Sequence, residues 1–290
     1  MILITGANGS LGKATIDYLV KEGVNPKEIN ALVRDTAKGK DLESKGITLK
    51  IGDYNNYDSL ISAFKNIDKL LLISGTDLEN RGKQHENIVR AAKEAGVKHI
   101  LYTSFERNNE TETSPISFVA GAHIFTENII KESGMAYTIF RNNLYMDMLP
   151  MFWGEHIKDK GIFFPAGETK AAFTLRDDMA EAIAKVISSN SNDNNEYYIS
   201  NLEIVSLPEI AVILSEITNS KITYHNPSVE QYKEMAKRSG IPDMYVQVIA
   251  GFGEAIRQGE FLPAKSDLKN LIGRTPTTVK QFLKAIYSNG

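Results

Sequence analysis

The sequence predicts an α/β protein: a doubly wound parallel sheet with a smaller C-terminal α/β lobe. Three observations carry this. The stretch Met1 to Gly12 (MILITGANGSLG) runs from a short apolar segment into Gly6, Gly9 and Gly12 and then opens a helical pattern. Apolar runs without polar alternation, the mark of strands buried on both faces, then alternate with helical patterns as far as Phe140. Such alternation builds a parallel sheet with right-handed crossovers. The 290 residues suffice for one large domain and a lobe, with a core that needs no staples.

In order, Ile2 to Thr5 is the first strand and a helix begins near Ser10. Gly6 permits the sharp turn, Gly9 lets a pyrophosphate approach the backbone, and Gly12 lets the helix pack close to the sheet. The free N–H groups and positive dipole end of that helix suit phosphate, so Gly6, Ala7, Asn8, Gly9, Ser10, Leu11 and Gly12 are expected to hold a dinucleotide. Glu28 to Val33 is the second strand, ending at Arg34. An acid there would bond the adenosine ribose and repel a 2′-phosphate; arginine does the opposite, so NADPH is the expected cofactor. Asp35 beside it works against that preference.

Ile47 to Gly52 forms the third strand, followed by Asp53, which either accepts from the adenine amino group or serves as a loop or cap residue. A helix covers Tyr57 to Phe64. Lys69 to Ile73 is the central strand and opens into Ser74, Gly75 and Thr76, small enough to let the cofactor pass. Strand ends of an open α/β sheet share one crevice, which would join Gly6, Arg34, Asp53 and Ser74. A helix through Gln84, Ile88 and Ala92 stops at Gly96, and His85 on it is read as a packing residue. Val97 to Thr103 is the fifth strand, with the Ser104 hydroxyl at the nicotinamide end. Phe105 to Ser117 is a polar segment expected to be a mobile loop over the site. A helix over 118–133 and a strand over 135–140 precede Arg141, Asn142 and Asn143.

Beyond Leu144 the alternation is lost. Met146, Met148, Leu149, Met151, Phe152 and Trp153 either wall a pocket for a flat apolar molecule or form core. Pro165 and Gly167 make a turn, Leu175 to Ile187 a helix, Asn190 to Glu196 a polar turn, and Tyr197 to Ile199 a strand. Helices follow over 207–217, 229–239, 244–258 and 278–287.

The totals exclude several classes. With no cysteine, thiol catalysis, Cys-ligated zinc and disulfides are ruled out, and no metal site is expected. The chain enters its first strand directly, without a leader, and has no apolar run long enough to span a membrane; a cytoplasmic location is expected. A net charge of −3 offers no basic footprint for nucleic acid, which leaves a small molecule as the partner.

Taken together and in order, GANGSLG, ALVR, IGDYNN, KLLLISG, QHENIVRAAKEAGVKHILYTS, HIFTENIIKESG, TIFRNNLY and the closing LKNLIGRTPTTVKQFL resemble the NmrA-like branch of the atypical short-chain dehydrogenase/reductases. The likeness is specific through Tyr145 and looser after it. It implies a Rossmann domain over 1–145 plus about 172–200, a substrate-binding lobe over about 146–171 plus 201–290, NADPH as cofactor, and reduction of quinone-like acceptors without flavin. It implies pyrophosphate on Gly6 to Gly12, the 2′-phosphate on Arg34, and cofactor contacts from Ser74, Gly75 and Thr76 and from Phe140, Arg141 and Asn142.

Ordinary short-chain dehydrogenases use a tyrosine four residues before a lysine as proton donor. Here Val119 and His123 stand at those positions, so alcohol chemistry by that route is not expected. Quinone reduction gives a stabilised anion that needs a weaker acid. His123, for proton donation or a bond to the cofactor, and Tyr145, for binding the acceptor, are the catalytic candidates. The alternative is a dinucleotide-sensing regulator acting through a protein partner.

Overall fold

The structure, a computed structural model, describes residues 1–154, 157–189 and 193–288. Strand β1 (Ile2–Ile4) leads into α1 (Ser10–Lys21), and the fully buried β2 (Ile29–Val33) leads through a 3₁₀ turn at Thr36–Gly39 into α2 (Lys40–Ser44) and β3 (Thr48–Ile51). The alternation continues with α3 (Tyr57–Phe64), β4 (Lys69–Ile73), α4 (Arg81–Glu94), β5 (His99–Phe105), α5 (Ser117–Glu132) and β6 (Ala136–Asn142). A 3₁₀ stretch Met146–Phe152, α6 (Ile157–Lys160) and β7 (Ile162–Phe163) leave the sheet, and α7 (Arg176–Ser188) and β8 (Asn195–Ile199) return to it. The rest comprises α8 (Leu207–Thr218), β9 (Tyr224–His225), α9 (Val229–Arg238), α10 (Asp243–Arg257), α11 (Leu268–Ile272) and α12 (Val279–Tyr287).

Seven parallel strands pair in the order β3-β2-β1-β4-β5-β6-β8, and β7 and β9 form a two-stranded sheet of their own. The connection reverses direction between β1 and β4, the place where a ligand crevice opens beyond the carboxyl ends of the strands. Ile4, Leu71, Leu101 and Phe140 point to the face covered by α1 and α7, while Leu70, Leu72, Ile100 and Tyr102 point to the face of α3, α4 and α5. That two-sided burial is why these strands read as unbroken apolar runs.

A third core belongs to the C-terminal lobe. It takes in Met146, Leu149 and Trp153 together with Phe164, Phe173, Val246 and Leu283, and Phe152 stacks on Phe164 at 4.2 Å. These side chains of the 146–153 cluster therefore pack as lobe core, whereas Met151 is exposed. Each buried large side chain contributes about 1.5–3 kcal/mol of burial free energy.

Several boundaries differ from expectation. Strand β5 runs two residues further, to Phe105, and β6 extends through Asn142. Of the expected polar turn, 190–192 lie outside the described residues, and Asn195 and Glu196 already belong to β8. The segment after β5, expected to be a mobile loop over the site, is bonded to the lobe: the Asn108 amide donates to the carbonyls of Gly259 (3.2 Å) and Leu262 (2.9 Å), and Ser114 donates to Glu260 at 2.8 Å.

Candidate functional site

At the reversal point lies a crevice of about 570 Å³. Its floor is the loop between β1 and α1. Gly6 sits at φ +58°, a left-handed conformation that favours glycine, and its carbonyl accepts from Gly9 N at 2.9 Å. A Cβ on Gly12 would stand 2.4 Å from the Gly6 carbonyl oxygen, so only glycine lets α1 start this close to the strand. Helix α1 begins without a side-chain cap or an acidic residue in its first turn, which leaves its N–H groups and dipole available to an anion.

Arg34 and Lys38 line the crevice beyond β2. Among the described residues neither forms an ion pair. Asp35, the acid beside Arg34, caps the 3₁₀ turn by accepting from Ala37 N at 2.9 Å. That turn carries Lys38 round beside Arg34, and no local pattern announced it. Asp53 also lines the crevice, with one carboxylate oxygen already accepting from Asn55 N at 2.8 Å.

Ser74, Gly75 and Thr76 form the wall after β4. His85 fixes this wall: its Nε2 accepts from Gly75 N at 3.1 Å, so Nδ1 carries the proton and donates to Thr126 at 2.9 Å. Burial, helped by the Arg81 charge, holds the His85 pKa down to about 3, which keeps Nε2 an acceptor. Asn8 Oδ1 and Ser74 Oγ are buried in the lining and lack a well-formed hydrogen bond among the described residues. Orphaned polar atoms, an uncapped helix start and two unpaired cations suit the polar and phosphate groups of a dinucleotide.

At the far end the crevice meets Tyr145 and Arg176. Reciprocal backbone bonds, Met146 N to Thr174 O (2.9 Å) and Thr174 N to Leu144 O (2.8 Å), bring these distant segments together. The Arg176 guanidinium lies 4.7 Å from the Tyr145 ring centre and is anchored by Asp147 at 2.8 Å. Burial raises the Tyr145 pKa, while Asn142 and the Arg176 charge pull the other way. Arg176 went unnoticed in the sequence because its role depends on the chain's return from the lobe.

Five expected residues do not line the crevice. Tyr102 and Ser104 point to the same face of β5, and residues 123 and 127 are one turn apart on α5; the two spacings match. Ser104 therefore donates to buried Glu127 rather than facing a cofactor. His123 is 6% exposed, its Nδ1 lying 2.7 Å from the Tyr102 hydroxyl and its Nε2 3.5 Å from Arg81. Burial, then the Arg81, His85 and Arg107 charges, hold its pKa well below the usual imidazole value, so His123 does not act as the near-neutral proton donor that the sequence suggests. Phe140 packs in the core. Arg141 is tied to Glu127 (2.9 Å), Glu110 (3.1 Å) and Glu196 (3.2 Å). Asn142 is buried at the end of β6, behind Tyr145.

Comparison with known proteins agrees with this geometry. The NmrA-like family model matches residues 1–283. The chain is 34% identical over 289 residues to quinone oxidoreductase 2 of Escherichia coli (strain K12), covering 99% of each. Its fold matches the crystal structure of the E. coli NADPH-dependent quinone oxidoreductase complexed with NADPH at a TM-score of 0.93 and 33% identity, covering 99% of this chain and 100% of the other. A Citrobacter sp. triphenylmethane reductase complexed with NADP(H) matches at 0.90 and 34% identity, covering 98% and 99%.

Proposed function

From the premise that the chain belongs to the NmrA-like family, we propose that it is an NADPH-dependent reductase of quinones and similar conjugated acceptors, acting by direct hydride transfer without flavin. The observation that carries the proposal is one continuous crevice that joins an uncapped helix N-terminus and two cations, unpaired among the described residues, at one end to a phenol at the other. The names of the relatives, a quinone oxidoreductase and a dye reductase, support the acceptor class.

NADPH supplies the hydride when bound. The chain's part is to bind, orient and exclude water. In this reading the N–H groups around Gly9 to Gly12 take the pyrophosphate, and Arg34 with Lys38 takes the 2′-phosphate. Ser74 to Thr76 hold the nicotinamide half, and Asp53 is available to the adenine amino group. Tyr145 faces the acceptor and donates a hydrogen bond to the oxygen that becomes negative. The lobe over 146–171 and 201–290 closes the acceptor side. Ser104 and His123, enclosed by their partners, make no direct contact with cofactor or acceptor.

Mixing the protein with NADPH and a panel of quinones while following the absorbance of the reduced cofactor tests the proposal. Turnover with NADPH preferred over NADH is expected. Tight NADPH binding with no acceptor turned over would overturn it in favour of a sensor.

A further inference from the structure

Among the described residues, three cations line the crevice: Arg34 and Lys38 at one end, and Arg176 at the other, beside Tyr145. Arg176 is the first residue of α7, where the positive end of the helix dipole disfavours a cation. The fold keeps the charge there and pairs it locally. Asp147 takes it in two bonds, from Nε to Oδ1 at 3.0 Å and from Nη2 to Oδ2 at 2.8 Å, which leaves Nη1 without a partner among the described residues. Two parallel bonds of this kind fix the plane of a guanidinium as well as its position.

That cation lies over the ring of Tyr145, whose centre is 4.7 Å from the guanidinium carbon. Tyr145 and Asp147 flank the start of the 3₁₀ stretch, so one short segment supplies both the ring beneath the cation and the carboxylate that holds it. Helix α7 is brought to this segment by the backbone bonds of Thr174 to Leu144 and Met146. Burial sets the resting acidity of the phenol; of the two charges beside it, that of Arg176 is the stronger, and it opposes burial by favouring electron density on the phenol oxygen.

A cation over an aromatic face is attracted to the π density of the ring. When the phenol donates a hydrogen bond to an oxygen that is becoming negative, density shifts back onto the phenol, and its attraction for the cation grows. The contact is therefore stronger in the transition state than in the ground state, which is the condition for raising kcat rather than only lowering KM. We propose that Arg176, held by Asp147 over the Tyr145 ring, is a positioning residue for the reduction: it orients the phenol and strengthens it as hydrogen-bond donor to the acceptor oxygen on which negative charge develops. Its effect passes through the Tyr145 hydroxyl, and no proton need leave the phenol. The proposal rests on the reductase reading above, in which Tyr145 faces the acceptor.

The test is a double-mutant cycle. Removing Arg176 alone would leave the Asp147 carboxylate unpaired beside the phenol, so both charges are removed together, as Arg176→Gln with Asp147→Asn, in the parent and in Tyr145→Phe. Each protein is measured for kcat and KM with a quinone, for NADPH affinity by fluorescence titration, and for binding of para-nitrophenolate, an oxyanion that mimics the reduced acceptor, in the presence of NADP+. In the parent, the paired change should lower kcat and para-nitrophenolate affinity roughly three- to tenfold, with NADPH affinity within about twofold. In Tyr145→Phe it should cost less than about twofold further in either. Arg176→Lys, a smaller change carried through the same cycle, keeps a cation but loses the planar fork; its loss should be smaller and should likewise vanish in Tyr145→Phe. Equal losses in the two backgrounds would mean that Arg176 acts on the ligand or the fold directly and would overturn the proposal, as would an unchanged kcat or a loss confined to NADPH affinity. Absence of turnover in the parent itself would instead overturn the reductase reading, and this role of Arg176 with it.

Discussion

Replacing Arg34 by alanine removes a guanidinium that lines the crevice and, among the described residues, forms no ion pair. Because no partner among the described residues loses a bond, the change falls on the ligand. A charge-assisted pair with phosphate contributes about 1.5–3 kcal/mol, and exposure of Arg34 to solvent places it in the lower half of that range. The expected loss is therefore about 1.5–2 kcal/mol, or roughly 10- to 30-fold in Kd for NADPH. NADH, which lacks the 2′-phosphate, should lose no more than about twofold. Lys38→Ala, a point charge without the planar fork, should lose about three- to fivefold for NADPH. The assay is fluorescence titration of both cofactors at low and high salt, with the NADPH preference of the parent weakening as salt rises. Equal losses for both cofactors in Arg34→Ala, or none, would refute the assignment of the 2′-phosphate to this end of the crevice.

Three further outcomes follow. In Gly12→Ala the new Cβ would meet the Gly6 carbonyl at 2.4 Å and Ala7 Cα at 2.8 Å, so the loop must shift; dinucleotide affinity should fall at least about tenfold and the urea midpoint should drop, corresponding to about 1–3 kcal/mol. Tyr145→Phe should lower kcat/KM for the acceptor roughly tenfold while NADPH affinity stays within about twofold, as steady-state kinetics and titration together will read. His85 is held at about 3 in the folded chain against an ordinary 6.5, so the stability from its neutral form is complete above 6.5 and declines as pH falls toward 3. At pH 5.5 the loss from this one group is on the order of 1 kcal/mol relative to pH 7.5. Urea unfolding of His85→Gln should therefore show a shallower pH dependence than the parent, and identical slopes would count against a neutral His85.

Much of the sheet was legible because its signals are local. Leu70 to Leu72 are buried on a strand covered from both sides, which gives an unbroken apolar run. The glycine loop was legible for the same reason, since Gly6 and Gly12 each answer a constraint within a few residues. Ser104 failed because side chains alternate along a strand. Ending β5 at Thr103 frees residue 104 to face the crevice, whereas continuing it to Phe105 sends that hydroxyl toward Glu127 on α5. Arg141 in β6 is likewise drawn to Glu127 on α5, while Asn142, next along the strand, is buried. His123 was misjudged because an imidazole's pKa is set by what encloses it, here Tyr102, Phe105 and Arg81. Lys38 and Arg176 were out of reach because one depends on a 3₁₀ turn and the other on a return through the lobe. The two-residue strands β7 and β9 are too short to leave a periodicity at all.

The most direct measurement of the central claim compares quinone-dependent oxidation of NADPH with that of NADPH deuterated on one or the other face of nicotinamide C4, using protein shown to be free of flavin by its absorbance. Direct hydride transfer within the crevice predicts steady turnover that slows with deuterium on one face only. No oxidation, or oxidation that begins only when flavin is added, would contradict it.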